Sequence, residues 1–195
     1  MKIHRHWSGE PHRIDGPAKI DDNGDSIWYM HGRRHRFGGP AVVYANGNTE
    51  WYIYGSYCTK PWHDRVIREM FEPPPDPHDI MVEEFILTRE VTLDGSIRYL
   101  NAEGQSHRLG GPALLRADGA ELWYRNNLMH RFGAPAVVYP NREKQWRLNG
   151  KLHCINGPAI ECVKVGSGWF IYDIPYDHED FDLQVQILRD YYRTL

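Results

Sequence analysis

One heptapeptide pattern recurs five times along the chain and constrains the fold more than any other feature. The pattern His-Arg-x-x-Gly-Pro-Ala begins at residues 12, 35, 107, 130 and 153, and the last two copies are variants of it. Copies within each run are 23 residues apart, and a tryptophan follows each alanine by ten residues, at Trp28, Trp51, Trp123, Trp146 and Trp169. A fixed period of this length is typical of stacked supersecondary units.

Each repeat is predicted to be a β-hairpin. A short apolar strand follows the alanine, and a dipeptide such as Asn46-Gly47 then accepts the positive φ angles of a two-residue hairpin turn. The return strand carries the tryptophan, and a second turn follows at a Gly or Asn such as Gly55. With a two-residue turn at 46–47, Val42 is expected to face Trp51 across the strands.

Two segments outside the repeats predict helices. Residues 59–73 have apolar side chains at helical spacing, with Thr59 as N-cap and Pro61 in the first turn. Residues 177–194 carry a second apolar stripe, and Asp177 is the expected N-cap.

The predicted fold class follows from these elements. We expect a mainly β protein with two helices, in which antiparallel β-hairpin repeat sheets form two modules, each closed by a helix. The N-terminal module covers residues 1–75, a proline-rich acidic linker covers 76–83, and the C-terminal module covers 84–195.

Composition and charge argue against several classes of function. The chain has 195 residues and a formal net charge of −3, which disfavours nonspecific nucleic-acid binding because that requires a basic surface. No run of 18 apolar residues is present to span a membrane, and the first six residues lack the apolar segment of a signal peptide. The three cysteines form no C-x-x-C pair, which favours a reducing compartment. We therefore expect a cytoplasmic protein.

The repeat resembles the MORN family, and in particular the MORN-like variant of bacterial and phage proteins with the pattern W-Y-x-x-G-x-x-H-R-x-x-G-P-A. Residues 28–41 show the pattern most clearly. The resemblance implies an elongated, twisted antiparallel sheet of hairpins, interaction with proteins or lipid surfaces, and no common set of catalytic residues. It also implies a bacterial or phage source, and for a phage protein the host cytoplasm.

Aromatic and arginine side chains of the repeat form the candidate binding surface. Successive residues of a strand point to opposite faces, so the tryptophans are expected on one face and the tyrosines on the other. Under one interpretation both rows are packing residues; under the other, part of one row is exposed as an interface, where aromatics and Arg are the usual anchors. The residues assigned to this surface are Trp28, Trp51, Trp123, Trp146, Trp169, Arg36, Arg108 and Arg131.

The repeated histidines predict a structural role and no metal site. Neighbouring repeats are two strands wide, so equivalent histidines lie about 9–10 Å apart, whereas Zn²⁺ requires ligand nitrogens at about 2.0–2.1 Å. We expect these imidazoles to bond the backbone of the Gly-Pro loops. No catalytic residue, metal or cofactor is assigned, because the sequence lacks a P-loop, a nucleophile elbow and a dinucleotide-binding motif.

The functional hypothesis is a non-enzymatic protein-interaction scaffold. The resemblance suggests a concrete version, a phage accessory protein that binds and inhibits or redirects a host defence factor. The alternative is a nucleotide or small-ligand binding protein that uses the repeated His and Arg pairs. A homodimer is a further alternative, because long sheets have edges that pair with a second copy.

Overall fold

The computed structural model describes residues 1–84 and 86–195, and this part of the chain is mainly antiparallel β-sheet with three helices. The chain forms two compact units. The first is Met1–Phe71 together with Asp177–Leu195, and the second is Glu72–Tyr176. The predicted mainly β architecture of hairpin repeats is confirmed, with one helix more than expected.

The first unit contains a six-stranded antiparallel sheet and a separate two-stranded hairpin. Its strands are β1 (Lys2–Ile3), β2 (Lys19–Ile20), β3 (Ser26–Ile27), β4 (Tyr29–Met30), β5 (Arg33–Arg34), β6 (Val42–Val43), β7 (Thr49–Ile53) and β8 (Ser56–Cys58). The sheet order is β1-β2-β3-β6-β7-β8, and β4 pairs with β5.

Hairpin loops of the repeat contain three residues, so the predicted register was wrong by one position. The amide of Tyr44 donates to the carbonyl of Asn48 at 2.9 Å, which leaves three residues in the loop, and Gly47 has a φ of +86°. This is the common loop in which a type I turn is followed by a left-handed glycine. Val42 consequently pairs with Glu50, and not with Trp51.

The second turn of each repeat is the true two-residue turn. In the first unit, His31 and Gly32 have φ angles of +45° and +74° and connect β4 to β5. Two consecutive positive φ angles define a type I′ turn, whose twist matches that of the flanking strands. The predicted glycine turn is therefore confirmed at this position, whereas the two-residue geometry was expected at the other loop.

Helix α1 (Lys60–Met70) confirms the first predicted helix and its cap. The Thr59 side chain accepts from the amide of Trp62 at 3.4 Å, and a proline occupies the first turn. The buried face includes Val66, Ile67 and Met70.

The second unit contains a nine-stranded antiparallel sheet with two short hairpins. A helix, α2 (Pro77–Glu84), precedes β9 (Thr88–Val91), β10 (Ile97–Leu100), β11 (Leu114–Leu115), β12 (Glu121–Leu122), β13 (Tyr124–Arg125), β14 (Leu128–Met129), β15 (Val137–Val138), β16 (Lys144–Gln145), β17 (Arg147–Leu148), β18 (Lys151–Leu152), β19 (Ile160–Cys162), β20 (Gly166–Ile171) and β21 (Ile174–Tyr176). The sheet order is β21-β20-β19-β16-β15-β12-β11-β10-β9, and the hairpins are β13-β14 and β17-β18.

Helix α2 lies in the segment that was predicted to be a linker, and this prediction was wrong. Pro77 is the first helical residue. The amide at this position has no acceptor within the helix, so the lack of an N–H group in proline costs no hydrogen bond. The Asp76 side chain accepts from the amide of His78 at 2.7 Å, and this bond caps the first turn. The proline run therefore starts a helix as well as ending the previous segment.

Helix α3 (His178–Tyr192) matches the second predicted helix but belongs to the first unit. Its buried side chains include Phe181, Val185 and Leu188. Tyr191 donates to Asp64 of α1 at 2.7 Å, and the rings of Tyr192 and Phe71 stack at 4.4 Å. The expected boundaries grouped this helix with residues 84–176, and the contacts group it with residues 1–71.

Candidate functional site

The tryptophan position of the repeat has a common backbone register. In five repeats, the amide at this position donates to the alanine carbonyl of the following repeat at 2.7–2.8 Å, from His4, Trp28, Tyr99, Trp123 and Trp146. Trp51 and Trp169 end the two runs and pair with Cys58 and Tyr176. Equivalent side chains therefore lie in rows along each sheet.

The structure places each predicted arginine over the aromatic ring at the tryptophan position of the preceding repeat. The Arg36 guanidinium carbon lies 4.0 Å from the ring centroid of Trp28, and that of Arg131 lies 3.8 Å from the centroid of Trp123. Arg108 lies 3.9 Å over Tyr99, which occupies the tryptophan position of its repeat. These are cation–π contacts, and they fix the guanidinium planes against the sheet.

Glycine in the Gly-Pro step provides space for this arginine. A Cβ added at Gly111 would lie 3.0 Å from the Arg108 guanidinium carbon. In the fifth repeat Cys154 stands in the arginine position, and a Cβ added at Gly157 would meet no atom within 4 Å. The arginine and the glycine of the motif are therefore one packing unit.

Repeat histidines bond the backbone, as predicted, but the bonded segment differs. The Nδ1 atom accepts an amide from the type I′ turn position 19 residues downstream, at 3.1–3.3 Å, for the pairs His12–His31, His35–Tyr54, His107–Asn126 and His130–Asn149. The expected bond was to the Gly-Pro loop.

Burial lowers the pKa of His35 to about 3 and also lowers the pKa of His130. Both imidazoles are therefore neutral at physiological pH.

The five tryptophans are mainly packing residues. Trp123 is 8% exposed, and the other four are half-buried. The ring of Trp51 contacts that of His63 from α1 at 4.8 Å. An exposed row of tryptophans is not present, and their part in binding stays a prediction.

Two helices dock on the Gly-Gly-Pro loops of the repeats. A Cβ added at Gly38 would lie 2.6 Å from Ile187 of α3, and one added at Gly110 would lie 2.6 Å from Ile80 of α2. The first glycine of each Gly-Gly pair therefore lets a helix approach within contact of the loop backbone.

Carboxylates of the same helices bind the repeat histidines and arginines. Asp180 of α3 accepts from Nε2 of His12 at 2.9 Å. Glu83 of α2 is paired with His107, and Glu84 accepts from Nε of Arg108 at 2.7 Å. In α2 the docked isoleucine and the two acids are three and four residues apart, which places them on one helix face.

The fourth repeat has a similar loop sequence, but among the described residues no helix side chain contacts its glycine. Phe132 is 37% exposed, whereas the equivalent Phe37 is fully buried. A Cβ added at Gly133 would meet no atom within 4 Å, in contrast to Gly38, and Gly133 has a φ of +68° whereas Gly38 has no positive φ. We call this region the fourth-repeat cleft; its walls include Pro73, Pro74, Pro75, Trp123, His130, Arg131 and Phe132, together with Pro77, Asp79 and Ile80 of α2.

The corresponding cavity of the first unit is much smaller. It lies between equivalent repeat positions, is also lined by Gln184 and Ile187 of α3, and has a volume of about 300 Å³. The fourth-repeat cleft has a volume of about 800 Å³, within the range of ligand-binding clefts. Both cavities are lined in part by a helix, by α3 in the first unit and by Pro77, Asp79 and Ile80 of α2 in the second.

The residues predicted for the binding surface include Arg131 and Trp123 but not Phe132 or the docked isoleucines Ile80 and Ile187. A signal was available: Gly-Gly precedes the proline in the second and third repeats, where helices dock, and Gly-Ala precedes it in the fourth. Nothing in the sequence showed which helix face would contact which repeat.

No group of three or more His, Cys, Asp and Glu in residues 1–84 and 86–195 is arranged to hold a metal ion. Within the same ranges, no helix is both long enough and apolar enough to cross a bilayer. Burial raises the pKa of the Cys154 thiol, which disfavours a reactive thiolate there.

Comparison with known proteins adds no identification. A scan against protein-family models finds no match, and a search of curated proteins likewise finds none.

Proposed function

We propose that the protein is a non-enzymatic scaffold that binds another protein through the second unit. The observation that carries the proposal is the fourth-repeat cleft, where Phe132 is 37% exposed although its equivalent in the second repeat is fully buried. An exposed aromatic beside an arginine is the usual composition of an interface anchor.

The nucleotide-binding alternative has less support from the geometry. The repeat histidines use Nδ1 to accept backbone amides, and Arg36 and Arg131 stack on tryptophans and donate to the carbonyls of Pro40 and Pro135 at 3.3 and 3.2 Å. These groups hold the loops together, which leaves few donors to surround a phosphate.

The resemblance to bacterial and phage MORN-like repeats suggests a host defence factor as the kind of partner.

Affinity capture from a bacterial lysate tests the proposal. The wild-type chain should recover a protein at stoichiometric level, and Phe132→Asp should lose it because a charge would enter an apolar contact. Leu93→Asp is the matched control, since Leu93 is fully exposed at a different hairpin loop of the same unit. Recovery of no stoichiometric partner by the wild-type chain would refute the scaffold function.

A further inference from the structure

The cavity of the first unit lies beside α3, between the loops of the first two repeats. Its volume of about 300 Å³ is at the lower end of the range for ligand-binding cavities. Its apolar walls include Ile14, Trp28 and Ile187, and Arg36 and Gln184 are among its polar residues. This lining suits a small molecule that has an apolar body and one polar end.

Gln184 of α3 contributes a buried donor that the chain leaves unsatisfied. The residue is 4% exposed, and its Nε2 atom has no hydrogen-bond partner among the described residues. Buried side-chain donors are nearly always paired, and each exception requires an explanation. An acceptor on a molecule held in the cavity would satisfy this amide group.

Arg36 brings a positive charge to the same cavity. Its guanidinium stacks on Trp28 and donates to the carbonyl of Pro40 at 3.3 Å, and among the described residues it forms no ion pair with a carboxylate. Burial lowers the pKa of Arg36. Arg13 and Asp15 also line the cavity, but they pair with each other at 2.6 Å. Arg36 is therefore the charge of this cavity that an anion would neutralise.

The third repeat shows how the chain itself can satisfy an arginine at this position. Arg108 is the equivalent of Arg36, and Glu84 of α2 accepts from its Nε atom at 2.7 Å, which raises the pKa of Arg108. Helix α3 also docks on the glycine of its repeat, but it contributes Gln184 to the cavity and none of its carboxylates. The first unit thus has two donors where α2 supplies an acceptor.

We propose that this cavity binds a small carboxylic acid, with the carboxylate on Arg36 and Gln184 and an aromatic or branched aliphatic body against Trp28 and Ile187. A carboxylate is the expected group because both polar side chains act as donors, and hydrogen bonds to an ionised acceptor are the stronger ones. The site lies in the first unit and does not rest on the scaffold function proposed for the second.

Titration of the 195-residue chain with sodium phenylacetate and sodium isovalerate, followed by amide chemical shifts, tests the proposal. Both acids should give saturable shifts at cavity residues such as Gly16 and Gly38. Phenylacetamide has the same ring without the charge and should bind about tenfold more weakly than phenylacetate. Inorganic phosphate lacks the apolar body and should give no saturable shift at these residues.

Two variants of Gln184 test the proposed contacts. Gln184→Leu removes the donor at similar size, so it should weaken phenylacetate binding by about tenfold and raise the melting temperature of the ligand-free chain. Gln184→Glu should abolish binding, because its carboxylate would pair with Arg36 as Glu84 pairs with Arg108. Gln186→Leu is the matched control: Gln186 is exposed on the same helix and does not line the cavity.

Three results would overturn the proposal. The first is the absence of saturable shifts with both acids, and the second is equal affinity of the wild type and both Gln184 variants for phenylacetate. The third is a loss of binding by Gln186→Leu as large as that by Gln184→Leu, since this would report a general effect on α3. A partner captured in the lysate experiment would leave the scaffold function standing in each case.

Discussion

At the residue scale, the repeat motif describes a set of contacts that recur with the period. The histidine accepts an amide from the type I′ turn, the arginine stacks on the aromatic ring, and the glycine leaves space for the guanidinium. The alanine carbonyl accepts the amide of the tryptophan position. The motif is therefore explained by the packing of neighbouring hairpins, without a requirement for catalysis.

His35 should make stability depend on pH. Its pKa is about 3 in the folded chain because of burial, and about 6.5 when unfolded. As the pH falls from about 6.5 towards 3, the unfolded chain takes up a proton that the native chain does not. The free energy of unfolding should therefore fall by up to about 1.4 kcal/mol per pH unit from this group.

Urea denaturation of wild type and His35→Gln between pH 7 and pH 4 measures this contribution. The variant should be less stable at pH 7, because the bond to the amide of Tyr54 is perturbed, and should lose stability less steeply with acid. His78→Gln, at an exposed position on α2, should keep the wild-type slope. Equal slopes for wild type and His35→Gln would contradict the assignment.

At the element scale, the helices reach the sheets through glycine. The side chains of Ile187 and Ile80 contact loops at which any side chain on Gly38 or Gly110 would overlap them. These contacts depend on the absence of a side-chain methyl group at Gly38 and Gly110. Protein interiors are packed so closely that an added methyl group would displace the isoleucine.

Gly38→Ala should destabilise the first unit by about 1–3 kcal/mol, the usual cost of overpacking. Combining it with Ile187→Ala should give less destabilisation than the sum of the two single changes, because the second change removes the atom that clashes. Gly157→Ala is the control: its Cβ would meet no atom within 4 Å, and the change should be neutral or slightly stabilising. Chemical denaturation measures all four variants, and additive single effects would contradict the contact.

At the scale of the whole molecule, the first unit is assembled from both ends of the chain. Phe181, Val185 and Leu188 of α3 are buried in it. Full burial of one such side chain contributes about 1.5–3 kcal/mol, so the three together are comparable to the net stability of a typical domain, about 5–15 kcal/mol. The first unit therefore depends on a segment that follows the entire second unit.

A chain that ends at Tyr176 should show this dependence. Hydrogen exchange should find protection lost across residues 1–71 and retained across residues 72–176, because α3 packs within the first unit. Addition of the peptide 178–192 should restore protection in residues 1–71. Loss of protection confined to residues 72–176 would instead support the module boundaries expected from the sequence.

Sequence alone determined the repeating hairpins, the common register of the tryptophan position, and helices α1 and α3, because periodicity, turn residues and caps are local properties. Only the tertiary structure decided the loop length that moves Val42 opposite Glu50, the helix within the proline-rich segment, and the unit that α3 joins. These depend on contacts between residues far apart in the chain. The exposure of Phe132 belongs with them, since Ile187 of α3 lies against Gly38 beside buried Phe37, whereas no described residue lies within 4 Å of a Cβ added at Gly133.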